Sequence, residues 1–193
     1  MTSLDSPERV QRWFETLAYN PANTMRTIVG VTKHHAAHCL EGAMAAAALL
    51  EPHGYPPLIL DLESTDGLDH TLFLYRRRGR YGAIGKSRDI GLDGRKPVFR
   101  SIAALARSYV IPYIDAKAHI TAYGVLDLRT LLRDWRTSTR NVWYVEDALR
   151  DIPHRRLPSS VAFVRRWRQR YTAFKKAHPD QQPGYFPRQE TWA

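Results

Sequence analysis

The chain has 193 residues, 44% of them hydrophobic and 25% charged, with a formal net charge of +10. That length buries a sizeable core as one domain, 1–193, without covalent staples, and the balance of apolar to charged residues is that of an ordinary soluble globular protein. A single cysteine, Cys39, excludes an internal disulfide framework and leaves a free thiol suited to a reducing compartment.

The N-terminal stretch holds no apolar run of the signal-peptide kind, and no segment approaches the ~20 apolar residues of a spanning helix. The expectation is a cytoplasmic protein with no membrane span. Asp5-Ser6 before Pro7 and Glu8 predicts a helix start, and Val10, Trp13, Phe14 and Leu17 recur at helical spacing as an apolar stripe that Asn20-Pro21 closes. Thr27 to Val31 is β-rich, a small strand or the lead-in to the cysteine segment. The run AAHCLEGAMAAAALL is strongly helical in composition, with Leu40, Met44, Ala47 and Leu50 on one face and Pro52 and Gly54 at its end.

Pro57 to Leu62 predicts a short strand. HTLFLYRRRGRYGAIGKS predicts a hairpin turning at Arg78-Gly79, which sets Arg77 opposite Arg80 and carries the register back until His70 faces Ser87, with Asp89 one diagonal step away. Residues 88–100 read as loop. Ser101 caps a helix that is bent or ended near Pro112, and 128–135 and 145–149 suggest two further short helices. A last helix runs from Ser159 or Ser160 to Ala177 within the basic stretch 154–178. Val161, Val164, Trp167, Tyr171 and Phe174 share one side of it and cations the other. The fold class is α+β: a small antiparallel sheet packed against the Cys39 helix.

Residues 34–90 carry the chemistry. A thiol at a helix start feels free backbone N–H groups and the positive end of the helix dipole, which favour thiolate. His70 opens a strand of Leu, Phe and Tyr, where an imidazole needs a polar partner, and an imidazole facing such a thiol makes a nucleophile at neutral pH. His38 is adjacent to the thiol, and Glu41 lies in the first turn, where an acid suits the dipole. If 34–39 were helical, His34 with His38 and His35 with Cys39 would share faces as zinc ligands do. No second cluster completes a four-ligand set, so no metal is expected.

A helix-borne Cys, a strand-borne His and a polar residue on the next strand, in that order, resemble the core of the transglutaminase-like superfamily of papain-type thiol enzymes. The resemblance covers 34–90. It implies Cys39 as nucleophile, His70 as general base and then acid, and a third residue orienting the imidazole. The family's acid would fall near Lys86 or Ser87, where this chain has none, so the third member is Asp89, or Ser87, or is missing; Asp61 is available on a neighbouring strand, and Asp69 faces the wrong way. The implied function is a thiol-dependent hydrolase or acyltransferase acting on a peptide, amide or thioester bond, with no cofactor.

The alternative is a catalytically silent member of that fold that binds a partner. Residues 154–178 contain eight Lys or Arg and no acid, so the rest of the chain carries only +2 of the charge. An acidic partner or nucleic acid would dock on this basic helix and not around the cysteine.

Overall fold

Extended backbone at Ser6 gives way at Pro7 to helix α1 (Pro7–Thr16), which buries Val10 and Phe14 of the expected stripe. The computed structural model describes residues 3–183. Strand β1 (Ala18–Tyr19) pairs in parallel with β2 (Ala36–Ala37) to tie the two ends of the intervening segment together. Between them lies helix α2 (Ile28–His34), where the sequence suggests a small strand or the lead-in to the cysteine segment; it is a lead-in, and a helical one. Local chemistry overrides β-propensity here: the Thr27 hydroxyl accepts the Val29 N–H at 3.3 Å to cap the helix and donates to the Ser138 carbonyl at 2.7 Å. His35 adopts a left-handed φ of 49° and stops α2. The helix that starts at Cys39 is therefore a separate one, and the His34/His38 and His35/Cys39 faces do not form.

Helix α3 (Cys39–Leu50) is buried almost all round, its small residues letting it approach the sheet closely. Strands β3 (Leu58–Ser64), β4 (His70–Arg77), β5 (Arg80–Ile84), β6 (Arg95–Phe99), β7 (Ile120–Asp127) and β8 (Arg155–Arg156) form a six-stranded sheet in the order β6-β5-β4-β3-β7-β8, every neighbour antiparallel. The fold is thus α+β, with a larger sheet than the sequence suggests. Strands β6, β7 and β8 are additions to the expected elements of this sheet; β6 carries Pro97, and as an edge strand it tolerates the lost N–H.

The hairpin has the expected register from Phe73 opposite Ile84 to Arg77 opposite Arg80, with Arg78 and Gly79 both at positive φ as a two-residue turn requires. It ends sooner than expected. The Gln11 side chain donates to the Gly85 carbonyl and accepts the Gly85 N–H, each at 3.1 Å, and so stands in for the next strand residue. His70 has Leu62 of β3 as its ladder partner, and Ser87 is not drawn opposite it.

Two apolar layers cover the sheet. On one face Ile59, Phe73, Tyr75 and Ile84 pack against α1, α3 and helix α6 (Tyr144–Asp151), with Trp135 buried among them. On the other, Leu60, Leu62, Leu72 and Leu74 meet helices α4 (Ile102–Arg107) and α5 (Val110–Tyr113), and Trp167 of helix α7 (Val161–Ala177). The helix suggested from residue 128 is a single 3-10 turn, Leu128–Thr130, and residues 154–160 of the basic stretch are not helical. Among the described residues no helix is long and apolar enough to cross a membrane.

Candidate active site

Strand alternation puts His70 on the Leu72 and Leu74 face, whereas α3 lies on the other. Cys39 and His70 meet because each is the first residue of its element, so the two layers touch around the end of the sheet. There Cys39 is half-buried and lines a cleft of about 660 Å³ together with His38, His70, Tyr19, Tyr113 and Asp69. Burial pushes the thiol up, but hydrogen bonding and positive charge from His38 and His70 outweigh it and hold Cys39 well below the ordinary thiol value of 9.0. The thiolate form is the one this cleft favours.

The position of His38 is set by a chain of hydrogen bonds that begins at Glu41. That carboxylate is fully buried, and it accepts Asn20 Nδ2 at 2.8 Å, Thr24 Oγ1 at 2.7 Å, the Arg26 N–H at 2.9 Å and the His38 N–H at 3.3 Å. Glu41 thereby folds the loop 20–26 onto the start of α3. The Thr24 carbonyl of this loop then accepts His38 Nε2 at 2.7 Å. Burial pulls His38 down, yet the hydrogen bond and negative charge of Cys39 and the Glu41 carboxylate leave it raised overall. The charged form of His38 is thereby favoured beside the thiol.

His70 is oriented differently. Its Nε2 lies 2.7 Å from the Leu92 carbonyl oxygen, and its ring sits 6.0 Å from that of Tyr109. A carbonyl only accepts, so Nε2 carries the proton in the neutral ring and Nδ1 is left for the thiol. The segment that presents Leu92 is gathered by the buried Arg95, whose guanidinium donates to the carbonyls of Asp93 at 2.9 Å, Gly94 at 3.0 Å and Gly91, over the ring of Tyr109.

The residues expected as the third member are therefore placed elsewhere. Asp89 binds Arg88 at 3.1 Å and 3.2 Å and accepts Gln182 Nε2 at 2.8 Å, at the rim of the cleft and off the His70 ring. The Ser87 hydroxyl accepts the Asp89 N–H at 3.0 Å. Lys86 turns to the far side and caps α1 by donating to the carbonyls of Phe14 and Leu17. Burial raises Asp93, against the Ser87 N–H that its carboxylate accepts at 3.0 Å and the nearby His70. Asp61 is committed to His154, whose Nε2 lies 2.8 Å away.

Asn20, Thr24, Leu92 and Arg95 escape a search by residue type, because three of the four act through main-chain groups or on main-chain carbonyls. Among the described residues no group of three or more His, Cys, Asp or Glu is arranged to hold a metal ion. Compared with models of protein families and with curated proteins, the chain matches none.

Proposed function

We propose that this protein is a thiol-dependent hydrolase or acyltransferase acting on an amide or thioester bond, of the transglutaminase-like type. The observation that carries this reading is a helix N-terminal thiol that lines one cleft with two imidazoles, whose hydrogen bonding and charge favour its thiolate. The thiolate of Cys39 attacks the substrate carbonyl carbon, and first-turn N–H groups of α3, which lack intrahelical partners, would receive the tetrahedral oxyanion.

The two histidines divide the work by their surroundings. His38, 3.7 Å from the buried Glu41 carboxylate, keeps its charge as counter-ion to the thiolate. His70 has a neutral carbonyl behind it, so its imidazolium is free to give its proton to the departing amine or thiol. His70 next takes a proton from water or an amine, whose attack on the acyl-enzyme releases the acyl group and restores the thiolate–imidazolium pair. No cofactor enters these steps.

Intact-mass measurement after mixing with an activated thioester tests the reading. An acyl adduct on Cys39, absent in Cys39→Ser and slowed about 10²- to 10⁴-fold in His70→Ala, is the expected outcome. A full-length protein that never acquires the adduct would leave a silent, partner-binding fold.

A further inference from the structure

We propose that the outer face of α7, with β8 and two neighbouring turns, is a docking surface for the sugar–phosphate backbone of a nucleic acid. The fold concentrates charge beyond what the sequence shows. Helix α7 turns Val164 and Trp167 inward and leaves Arg165, Arg166, Arg170 and Lys176 exposed. Arg168 donates to the carbonyl of Lys117 at 2.8 Å, which brings that exposed lysine to the flank of the helix. Arg107 donates to the Pro158 carbonyl at 3.3 Å and so joins the surface at its start, while Arg155 and Arg156 are exposed on the edge strand β8.

Among the described residues no carboxylate pairs with Arg155, Arg156, Arg165, Arg166 or Lys176. In a chain with so many exposed ion pairs elsewhere, this concentration of unneutralised cations is what a polyanion would meet.

The chemistry of the face selects among polyanions. Protein interfaces have an apolar core, and here the uncharged exposed residues are Ala162, Gln169, Thr172 and Ala173, with Val161 and Ala177 at the two ends. An interfacial membrane helix needs its apolar side free, and the apolar side of α7 is packed on the sheet. Six of the eight cations between 154 and 178 are arginines, whose planar fork matches phosphate oxygens. The 17-residue helix is about 25 Å long, the length of roughly seven phosphates along one strand.

Fluorescence anisotropy of a labelled duplex of about 20 base pairs, titrated with the full chain between about 50 and about 200 mM NaCl, tests this. Five phosphate contacts give a slope of about −4 to −5 in log affinity against log salt. Arg165→Ala/Arg166→Ala/Lys176→Ala weakens binding at least about ten-fold and reduces the slope by about 3, and Arg155→Ala/Arg156→Ala, on another element, weakens it in the same direction. Both variants keep the native alkylation rate at Cys39, which shows that they fold and that the surface is distinct from the thiol. No binding at the lowest salt, unchanged affinity in both variants, or displacement of the duplex by polyglutamate or anionic vesicles at matched charge would overturn the proposal.

Discussion

His70 Nε2 lies 2.7 Å from the main-chain carbonyl oxygen of Leu92, so a neutral acceptor holds this side of the imidazole. A carbonyl fixes the ring and its tautomer as a carboxylate does, but it adds no charge behind the imidazolium. Asp89→Asn and Ser87→Ala should therefore change the alkylation rate of Cys39 by less than about two-fold at every pH. A drop of about ten-fold or more in Asp89→Asn would show that the acid reaches the ring in solution, at a cost of about 1.4 kcal/mol per decade.

Arg95 gathers the carbonyls on both sides of Leu92, and it is almost wholly buried. Lysine cannot reproduce the fork. Arg95→Lys should lower unfolding free energy by about 2 to 4 kcal/mol in urea titrations, since three carbonyls, that of Gly94 buried and the others partly so, lose their donor. In the folded fraction the pH profile of Cys39 alkylation should move upward as His70 loses its carbonyl. A destabilised variant with an unmoved profile would mean that Arg95 supports the fold without positioning His70.

Glu41 ties Asn20, Thr24, Arg26 and His38 to one buried carboxylate, and removing it strands four donors. Glu41→Ala should cost about 3 to 5 kcal/mol of stability, enough to unfold a marginal domain. Glu41→Gln keeps the size and part of the accepting capacity. It should fold, and alkylation should slow at low pH because His38 loses the charge that sustains its imidazolium.

Much of the core is legible in the sequence because periodicity is a local property. The hairpin register from Phe73 to Arg77 follows from Arg78-Gly79 alone, and the α1 stripe from four apolar residues at helical spacing. What is not legible depends on tertiary partners. Nothing near Gly85 in sequence announces that Gln11 will end the strand. β7 has Tyr123 and Gly124 where alternation should show, because it lies inside the sheet with both faces covered. The site divides the same way: Cys39, His38 and His70 stand out as residue types, whereas the Leu92 and Thr24 carbonyls that orient the imidazoles carry no mark in the sequence.

Asp61 and His154 form a second carboxylate–imidazole pair, between β3 and the segment that leads into β8, at 2.8 Å. Burial raises Asp61 from 3.8 to about 6, against the hydrogen bond from His154. Between those values the folded chain binds more protons than the unfolded one, so this group's stability is fully present below about pH 4 and is lost as pH rises through about 6. Asp61→Asn keeps an acceptor for His154 and removes the titration. Its stability relative to the native chain should therefore improve by about 2 to 3 kcal/mol between pH 4 and pH 7 in urea unfolding. Gly124 leaves room for the pair: a Cβ there would lie 2.8 Å from Ile152 Cδ1 and 2.9 Å from the His154 ring. Gly124→Ala should destabilise by about 1 to 3 kcal/mol and flatten the same pH dependence. A difference between Asp61→Asn and the native chain that is equal at both pH values would exclude the titration.

The decisive experiment on the thiol is its rate of alkylation by iodoacetamide from about pH 4 to about pH 10, in the native chain and in His38→Ala and His70→Ala. With Cys39 held well below 9.0, the native rate should already be on its plateau near neutrality. Each histidine variant should move the profile upward by about one unit or more, as the thiolate loses a hydrogen bond and a positive charge. A thiol that titrates near about 8.5 in all three proteins, or reacts only after denaturation, would contradict the thiolate–imidazole site and with it the proposed chemistry.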